Sequence, residues 1–196
     1  IPNDREVVAL LPGSRRDEIH RMTPRFLKAF RILQLERPDL IGVLPAAPGV
    51  AKQVAQHVDK HPEVKNLYVL KGQSHLAMAA ADAAMVTSGT ATLEAALFKC
   101  PMVISYDMPW LSWQITQAKR LQPWVGLPNI LCQDFVVPEL LQERATPQAI
   151  AQAVLSWLQP SSKKNQLKKT FETLHQSLKA DTPSLAIHAI EKVLSA

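Results

Sequence analysis

The sequence predicts an α/β protein built on a doubly wound parallel sheet, followed by a helical C-terminal tail. Two observations carry this. From Val7 to Tyr106, short apolar runs alternate with segments of helical periodicity, the rhythm of strand–helix–strand crossovers. Those runs are apolar throughout rather than every second residue, as strands become when helices cover both faces of the sheet.

Val7–Leu11 (VVALL) reads as the first strand, and Pro12-Gly13 as the turn that ends it. A helix is expected over residues 23–35, because Phe26, Leu27, Phe30 and Leu33 recur at helical spacing. Thr23-Pro24 has the form of a helix start, and Pro38 lies just beyond its end. The pattern continues with a strand at 41–44, a helix at 50–58, a strand at 67–70 and a short helix at 74–81. A strand at 83–86, a helix at 90–98 and a strand at Met102–Tyr106 follow. The whole is Rossmann-like. Beyond it, residues 110–121 look helical, 122–129 read as a proline-containing loop, and helices are expected at 147–158, 163–178 and 184–194. Leu167, Phe171, Leu174 and Leu178 form one stripe that needs a partner surface, by default the core. Gln159-Pro160-Ser161-Ser162 is the expected hinge between a domain at 1–158 and a helical extension at 159–196.

The 196 residues are 47% hydrophobic and 20% charged, the profile of a globular protein rather than of a disordered or repetitive one. No apolar run approaches the roughly 18 residues needed to span a bilayer. Two cysteines, Cys100 and Cys132, form no Cys-x-x-Cys pair, which favours a reducing, cytoplasmic compartment. The start at Ile1-Pro2, without Met, leads us to expect a piece of a longer protein. A net charge of +5 is too mild for a dedicated nucleic-acid binder. Between residues 161 and 180, Lys163, Lys164, Lys168, Lys169 and Lys179 face only Glu172. A solvated helix face explains them, and attraction to an acidic membrane surface is the sharper reading.

Ligands of open parallel sheets gather beyond the carboxyl ends of the strands, where three segments fall. In the first, Gly13 permits close backbone approach and Ser14-Arg15 follows it, with the Arg15 guanidinium suited to phosphate oxygens. A plain turn with an exposed arginine fits equally well. The second runs from Ser88 through Gly89 and Thr90 to Glu94. Ser88 or Thr90 can cap the helix, whose free N–H groups and dipole make an anion site. Glu94, one turn on, can reach back and accept from the vicinal hydroxyls of a ribose. The competing reading is a solvent-facing Glu94, but phosphate-type and ribose-type groups come in the right order for a nucleotide. The third is Gly126-Leu127-Pro128-Asn129, where Asn129 could reach the same cleft or simply serve the turn. No metal site is expected: His57 and His61 lack further ligands, and no Asp-x-Asp is present. The turn after the first strand is not Gly-x-Gly-x-x-Gly, which argues against a dinucleotide cofactor.

The runs Leu10-Leu11-Pro12-Gly13-Ser14-Arg15, Ser88-Gly89-Thr90-Ala91-Thr92-Leu93-Glu94, Lys99-Cys100-Pro101-Met102-Val103 and Leu127-Pro128-Asn129, in this order, resemble the lipid-A-disaccharide synthase family. The Ser-Gly-Thr…Glu element by itself also resembles other two-domain glycosyltransferases and UDP-sugar epimerases. The resemblance implies the C-terminal, donor-binding half of a GT-B glycosyltransferase. It implies transfer of 2,3-diacylglucosamine from UDP-2,3-diacylglucosamine to 2,3-diacylglucosamine 1-phosphate, with inversion and without cofactor or metal. On this chain Gly13, Ser14, Arg15, Ser88, Gly89 and Thr90 would bind the UDP-sugar, with Arg15 and the N–H groups around Gly13, Gly89 and Thr90 neutralising the diphosphate of the leaving group. Glu94 would hold the ribose, and Asn129 matches a polar donor-site position. The general base would belong to an amino-terminal half outside this chain. Met108-Pro109-Trp110-Leu111-Ser112-Trp113, with Lys119-Arg120 and Trp124, corresponds to an aromatic and basic family region suited to a membrane interface or acyl chains, a buried helix seam being the equal alternative. Gln122-Pro123-Trp124 departs from the family pattern. Peripheral attachment to the inner membrane and a homodimer exchanging C-terminal helices are further implications. The rival readings are a UDP-N-acetylglucosamine epimerase, a related transferase, or a nucleotide-binding module without chemistry.

Overall fold

The computed structural model describes residues 5–118 and 121–195. Six parallel strands, β1 (Val7–Leu11), β2 (Ile41–Ala46), β3 (Leu67–Lys71), β4 (Ala83–Thr87), β5 (Met102–Tyr106) and β6 (Glu139–Leu141), lie in the order 3-2-1-4-5-6. β1, β4 and the first four residues of β5 are fully buried, which is why they read as unbroken apolar runs. Helices α1 (Arg16–Glu36) and α2 (Ala51–Asp59) pack together, and α7 (Pro147–Leu158) packs against α1, β4 and β5. Helices α3 (Ser74–Ala80), α4 (Thr90–Leu97) and α6 (Leu127–Cys132) pack with one another through α4. Trp157 of α7 is buried, and its indole N–H donates to the Met102 carbonyl at 3.0 Å, tying the helix to β5.

Two departures from the sequence expectation have local physical causes. Helix α1 starts at Arg16 rather than at Thr23, and Pro24 lies inside it. The start is fixed by Glu18, whose carboxylate accepts the N–H groups of Ser14 and Arg15 at 3.0 and 3.1 Å. Buried Ile19, Met22, Phe26 and Phe30 hold the helix across the carbonyl that Pro24 leaves without a helical donor. The second departure is in the region read as loop and helix after residue 122, which contains α6 and the three-residue strand β6. A run that short carries no readable periodicity.

Strand β2 runs through Pro45, two residues past the expected end. Ile41 N–H donates to Glu6 on the β1 side and Gly42 N–H to Asn66 on the β3 side. By that alternation the Pro45 nitrogen faces β1, beyond the last β1–β2 pair, Ala9 with Val43. No ladder bond is lost there.

In the tail, α8 (Ser162–Leu178) packs on α4 and α6 and buries Leu167, Phe171 and Leu174 of the expected stripe, while Leu178 is exposed. Helix α9 (Thr182–Leu194) and helix α5 (Trp110–Ala118) bury no residue.

Candidate functional site

The strand order reverses its direction of growth between β1 and β4, and a crevice opens beyond the carboxyl ends of such a pair. A cavity of about 390 Å³ lies there. It is lined by Gly13, Ser14, Arg15 and Glu18 from the β1 side, by Thr87 to Ala91 and Glu94 from the β4 side, and by the ends of the β2 and β3 segments. Seven of the eight residues expected from the sequence to bind a nucleotide sugar therefore come to one cavity: Gly13, Ser14, Arg15, Ser88, Gly89, Thr90 and Glu94. Asn129 does not line it.

The β1 side is a turn closed by a carboxylate. Gly13 has φ +107, and a Cβ there would meet Glu18 Cβ at 2.7 Å and also strike its Oε2. Glu18 Oε2 accepts the Ser14 and Arg15 amides, and Oε1 pairs with Arg15 Nη1 at 2.9 Å. The N-terminal amides that a dinucleotide site of this fold offers to pyrophosphate are thus partly filled from within. The Arg15 side chain itself is 80% exposed at the rim, and that of Glu18 only 10%. Nearby Tyr106, at the end of β5, has its phenol pushed up by burial, with the charge of Glu18 adding to the effect.

The β4 side is open. The N-cap of α4 is Gly89, at φ +150, rather than Ser88 or Thr90 as the sequence led us to expect. Ser88 Oγ turns instead to the Val125 carbonyl at 3.5 Å. Thr92 N–H donates to Gly89 O, and Thr92 Oγ1 donates to the same carbonyl at 2.7 Å. Among the described residues the amides of Gly89, Thr90 and Ala91 have no acceptor, so the positive end of the helix faces the cavity unfilled. The hydroxyl of Thr87, buried in the cavity wall, also lacks a partner. Glu94 is held by His75, whose Nε2 lies 3.2 Å from Glu94 Oε2, and keeps 38% of its side chain exposed.

Asn129 is fully buried and occupied. Its Nδ2 donates to Val137 O and to Glu139 Oε1, both at 2.9 Å, and its Oδ1 accepts from Val137 N–H at 3.0 Å. Glu139, itself buried, also accepts from Val125 N–H at 3.0 Å and Gly126 N–H at 2.8 Å. These bonds fix the chain entering α6, where Leu127 N–H donates to Thr92 Oγ1 of α4 at 3.2 Å. Sequence reasoning missed Glu18, His75, Thr92 and Glu139. Only Glu18 left a signal: an acid three residues after the N-cap reaches back to the cap in a capping box.

The family of lipid-A-disaccharide synthetases matches residues 1–191 of the chain. The chain belongs to this family. Among its curated relatives, lipid-A-disaccharide synthase of Albidiferax ferrireducens is 50% identical over 193 residues, covering 96% of this chain and 50% of the relative. The synthase of Burkholderia lata is 47% identical over 195 residues, covering 99% of this chain and 50% of the relative. The chain spans about half the length of the relatives it matches. Solved structures share the fold at low identity. One is the calicheamicin glycosyltransferase CalG4 (TM-score 0.61, 17% identity, 99% of this chain and 43% of that one). Another is WaaG, a glycosyltransferase involved in lipopolysaccharide biosynthesis (TM-score 0.60, 16% identity, 96% of this chain and 47% of that one). A third is the S. aureus MnaA–UDP co-structure (TM-score 0.58, 17% identity, 85% and 41%). The sheet order and the helical end are those of one half of a GT-B glycosyltransferase.

In this member of the synthetase family, the segment expected to be a membrane face or a buried seam exposes Trp110 and Leu111, while Trp113 and Trp124 are half-buried. Lys119 and Arg120 lie outside the described residues. No helix among the described residues is long and apolar enough to cross a membrane.

Proposed function

We propose that this chain is the donor-binding half of an inverting glycosyltransferase that moves 2,3-diacylglucosamine from UDP to 2,3-diacylglucosamine 1-phosphate. The observation that carries the reading is the cavity between β1 and β4, where Arg15, the unfilled amides of Gly89, Thr90 and Ala91, and Glu94 meet. The diphosphate lies against the N-terminus of α4, and Arg15 reaches it from across the cleft. As the glycosidic bond to UDP breaks, negative charge grows on the leaving phosphate, and these fixed donors stabilise it. Glu94 accepts from the ribose hydroxyls, with His75 holding it in place. The base that activates the acceptor hydroxyl comes from outside these 196 residues, in an amino-terminal half. A fold neighbour solved with UDP supports the choice of nucleotide.

Residues 1–158 then form the nucleotide-sugar-binding unit and 159–196 a helical extension, whose exposed α9 suits exchange within a homodimer. The apolar face of α5 suits peripheral contact with the inner membrane from the cytoplasm. Asn129 acts here through the 125–127 chain rather than by touching the donor.

Calorimetric titration of the chain with UDP tests the assignment. Arg15→Ala and Glu94→Ala should each weaken binding about tenfold, the scale of one lost charge-assisted hydrogen bond. UDP affinity unchanged by both substitutions would place the site elsewhere.

A further inference from the structure

Glu18 is a carboxylate in the wall of a cavity read as the seat of a diphosphate, and the proposed chemistry leaves it without a task. A buried negative charge beside a bound anion is unfavourable unless it does something the site needs. Its contacts define what that is. Oε2 accepts the Ser14 and Arg15 amides at 3.0 and 3.1 Å, and Oε1 accepts from Arg15 Nη1 at 2.9 Å. One carboxylate therefore grips Arg15 twice, at its main chain and at its guanidinium. The grip engages one of the five N–H donors of the guanidinium and leaves four.

An arginine whose side chain is 80% exposed samples many rotamers, and ordering such a side chain on a ligand opposes binding. The pairing with Glu18 imposes that order before the ligand arrives. The same carboxylate fills the Ser14 and Arg15 amides of the turn before α1, so those two donors are not open to a phosphate. We propose that Glu18 is a positioning residue: it presets Arg15 for the terminal phosphate of a nucleoside diphosphate. The proposal rests on the reading of the cavity as a UDP site.

The test is a double-substitution cycle on the 196-residue chain, titrated calorimetrically with UDP and with UMP. Glu18→Gln preserves the shape of the side chain and an acceptor for the turn amides but removes the charge. Glu18→Ala removes both. Circular dichroism and thermal unfolding establish that each variant is folded, and the isosteric Gln variant carries the test if Ala does not fold. Wild-type chain should bind UDP more tightly than UMP, and Arg15→Ala should narrow that preference. Glu18→Gln should weaken UDP binding about threefold and Glu18→Ala up to about tenfold, the scale of lost side-chain ordering. UMP binding should change less. In the Arg15→Ala background, either substitution at Glu18 should have no further effect on UDP. A purely structural role would instead weaken UDP and UMP alike, with or without Arg15, and would overturn the proposal. So would unchanged or tighter UDP binding in Glu18→Gln. If wild-type chain binds no UDP, the reading of the cavity fails first and the proposal falls with it. UDP binding that depends on Arg15 but not on Glu18 overturns the proposal alone.

Discussion

Replacing Glu139 by Ala should be among the more damaging single changes outside the apolar core. Its carboxylate is buried and accepts three donors: Val125 N–H at 3.0 Å, Gly126 N–H at 2.8 Å and Asn129 Nδ2 at 2.9 Å. Truncation leaves both main-chain N–H groups, and the Asn129 amide hydrogen not bonded to Val137 O, with no acceptor. Counting about 1 kcal/mol for each unmet donor, the low end because the loop can relax toward water, gives a loss of about 3 kcal/mol. For a chain of this size that lowers the melting temperature by roughly 6–12 °C. Glu139→Gln should lose less, because one oxygen still accepts, while its amide nitrogen is forced to face the Val125 N–H. The effect should also reach the cavity between β1 and β4, since Leu127 N–H bonds Thr92 Oγ1, which in turn bonds Gly89 O at the head of α4. Scanning calorimetry on the three proteins provides the measurement. A melting temperature for Glu139→Ala within about 2 °C of wild type would mean that water replaces the carboxylate at no net cost, and would refute the role assigned to it.

Two glycines should respond differently to alanine. At Gly89 a Cβ meets nothing within 4 Å, so Gly89→Ala bears only the backbone strain of φ +150, about 1–3 kcal/mol. At Gly13 the strain of φ +107 is joined by overlap with Glu18, so Gly13→Ala should melt distinctly lower; equal melting temperatures would refute the packing argument. Cys100 is buried, and its thiol is pushed up to about 12, by burial first and the charge of Asp82 second. Its folded value thus lies above the ordinary 9.0. The proton it retains contributes stability that is complete below pH 9 and is lost as pH rises from about 9 toward 12. Cys100→Ala should therefore flatten the fall of stability across that alkaline window, and a thiol reagent at neutral pH should label the part-exposed Cys132 well before Cys100. Equal labelling rates would overturn the burial assigned to Cys100.

The inner strands were legible because they are buried on both faces, and burial writes itself as unbroken apolar runs such as those at 7–11 and 83–86. Helix α1 was readable in its interior and misread at its start. Thr23-Pro24 has the composition of a helix N-terminus, whereas the actual start depends on a side chain, Glu18, folding back on the turn before it. Strand β6 left no pattern in three residues, one of them a buried acid. At the site, the glycines, Arg15 and Glu94 could be found because main-chain anion binding demands those residue types at strand ends. Asn129 could be found as a polar residue near the cleft, but its orientation depends on Val137 and Glu139, eight and ten residues away, and spacing alone does not encode a partnership of that kind.

The two buried acids share one logic, and it bears on where an anion binds. Glu18 closes the amides of the turn after β1, and Glu139 closes those of the turn before α6. Each supplies from within the protein the negative charge that such a turn attracts. The amides of Gly89, Thr90 and Ala91 at the head of α4, which lies between these two turns in the chain, have no acceptor among the described residues. The hydroxyl of Thr87, at the end of the strand that leads into α4, is unpartnered as well. Of these turns, the one after β1 and the one at the head of α4 line the crevice, the first with its Ser14 and Arg15 amides already filled and the second open. Under the proposed function, the open amides of α4 draw the phosphate on electrostatic grounds, and a glutamate at the neighbouring turn sharpens that preference without any added positive charge.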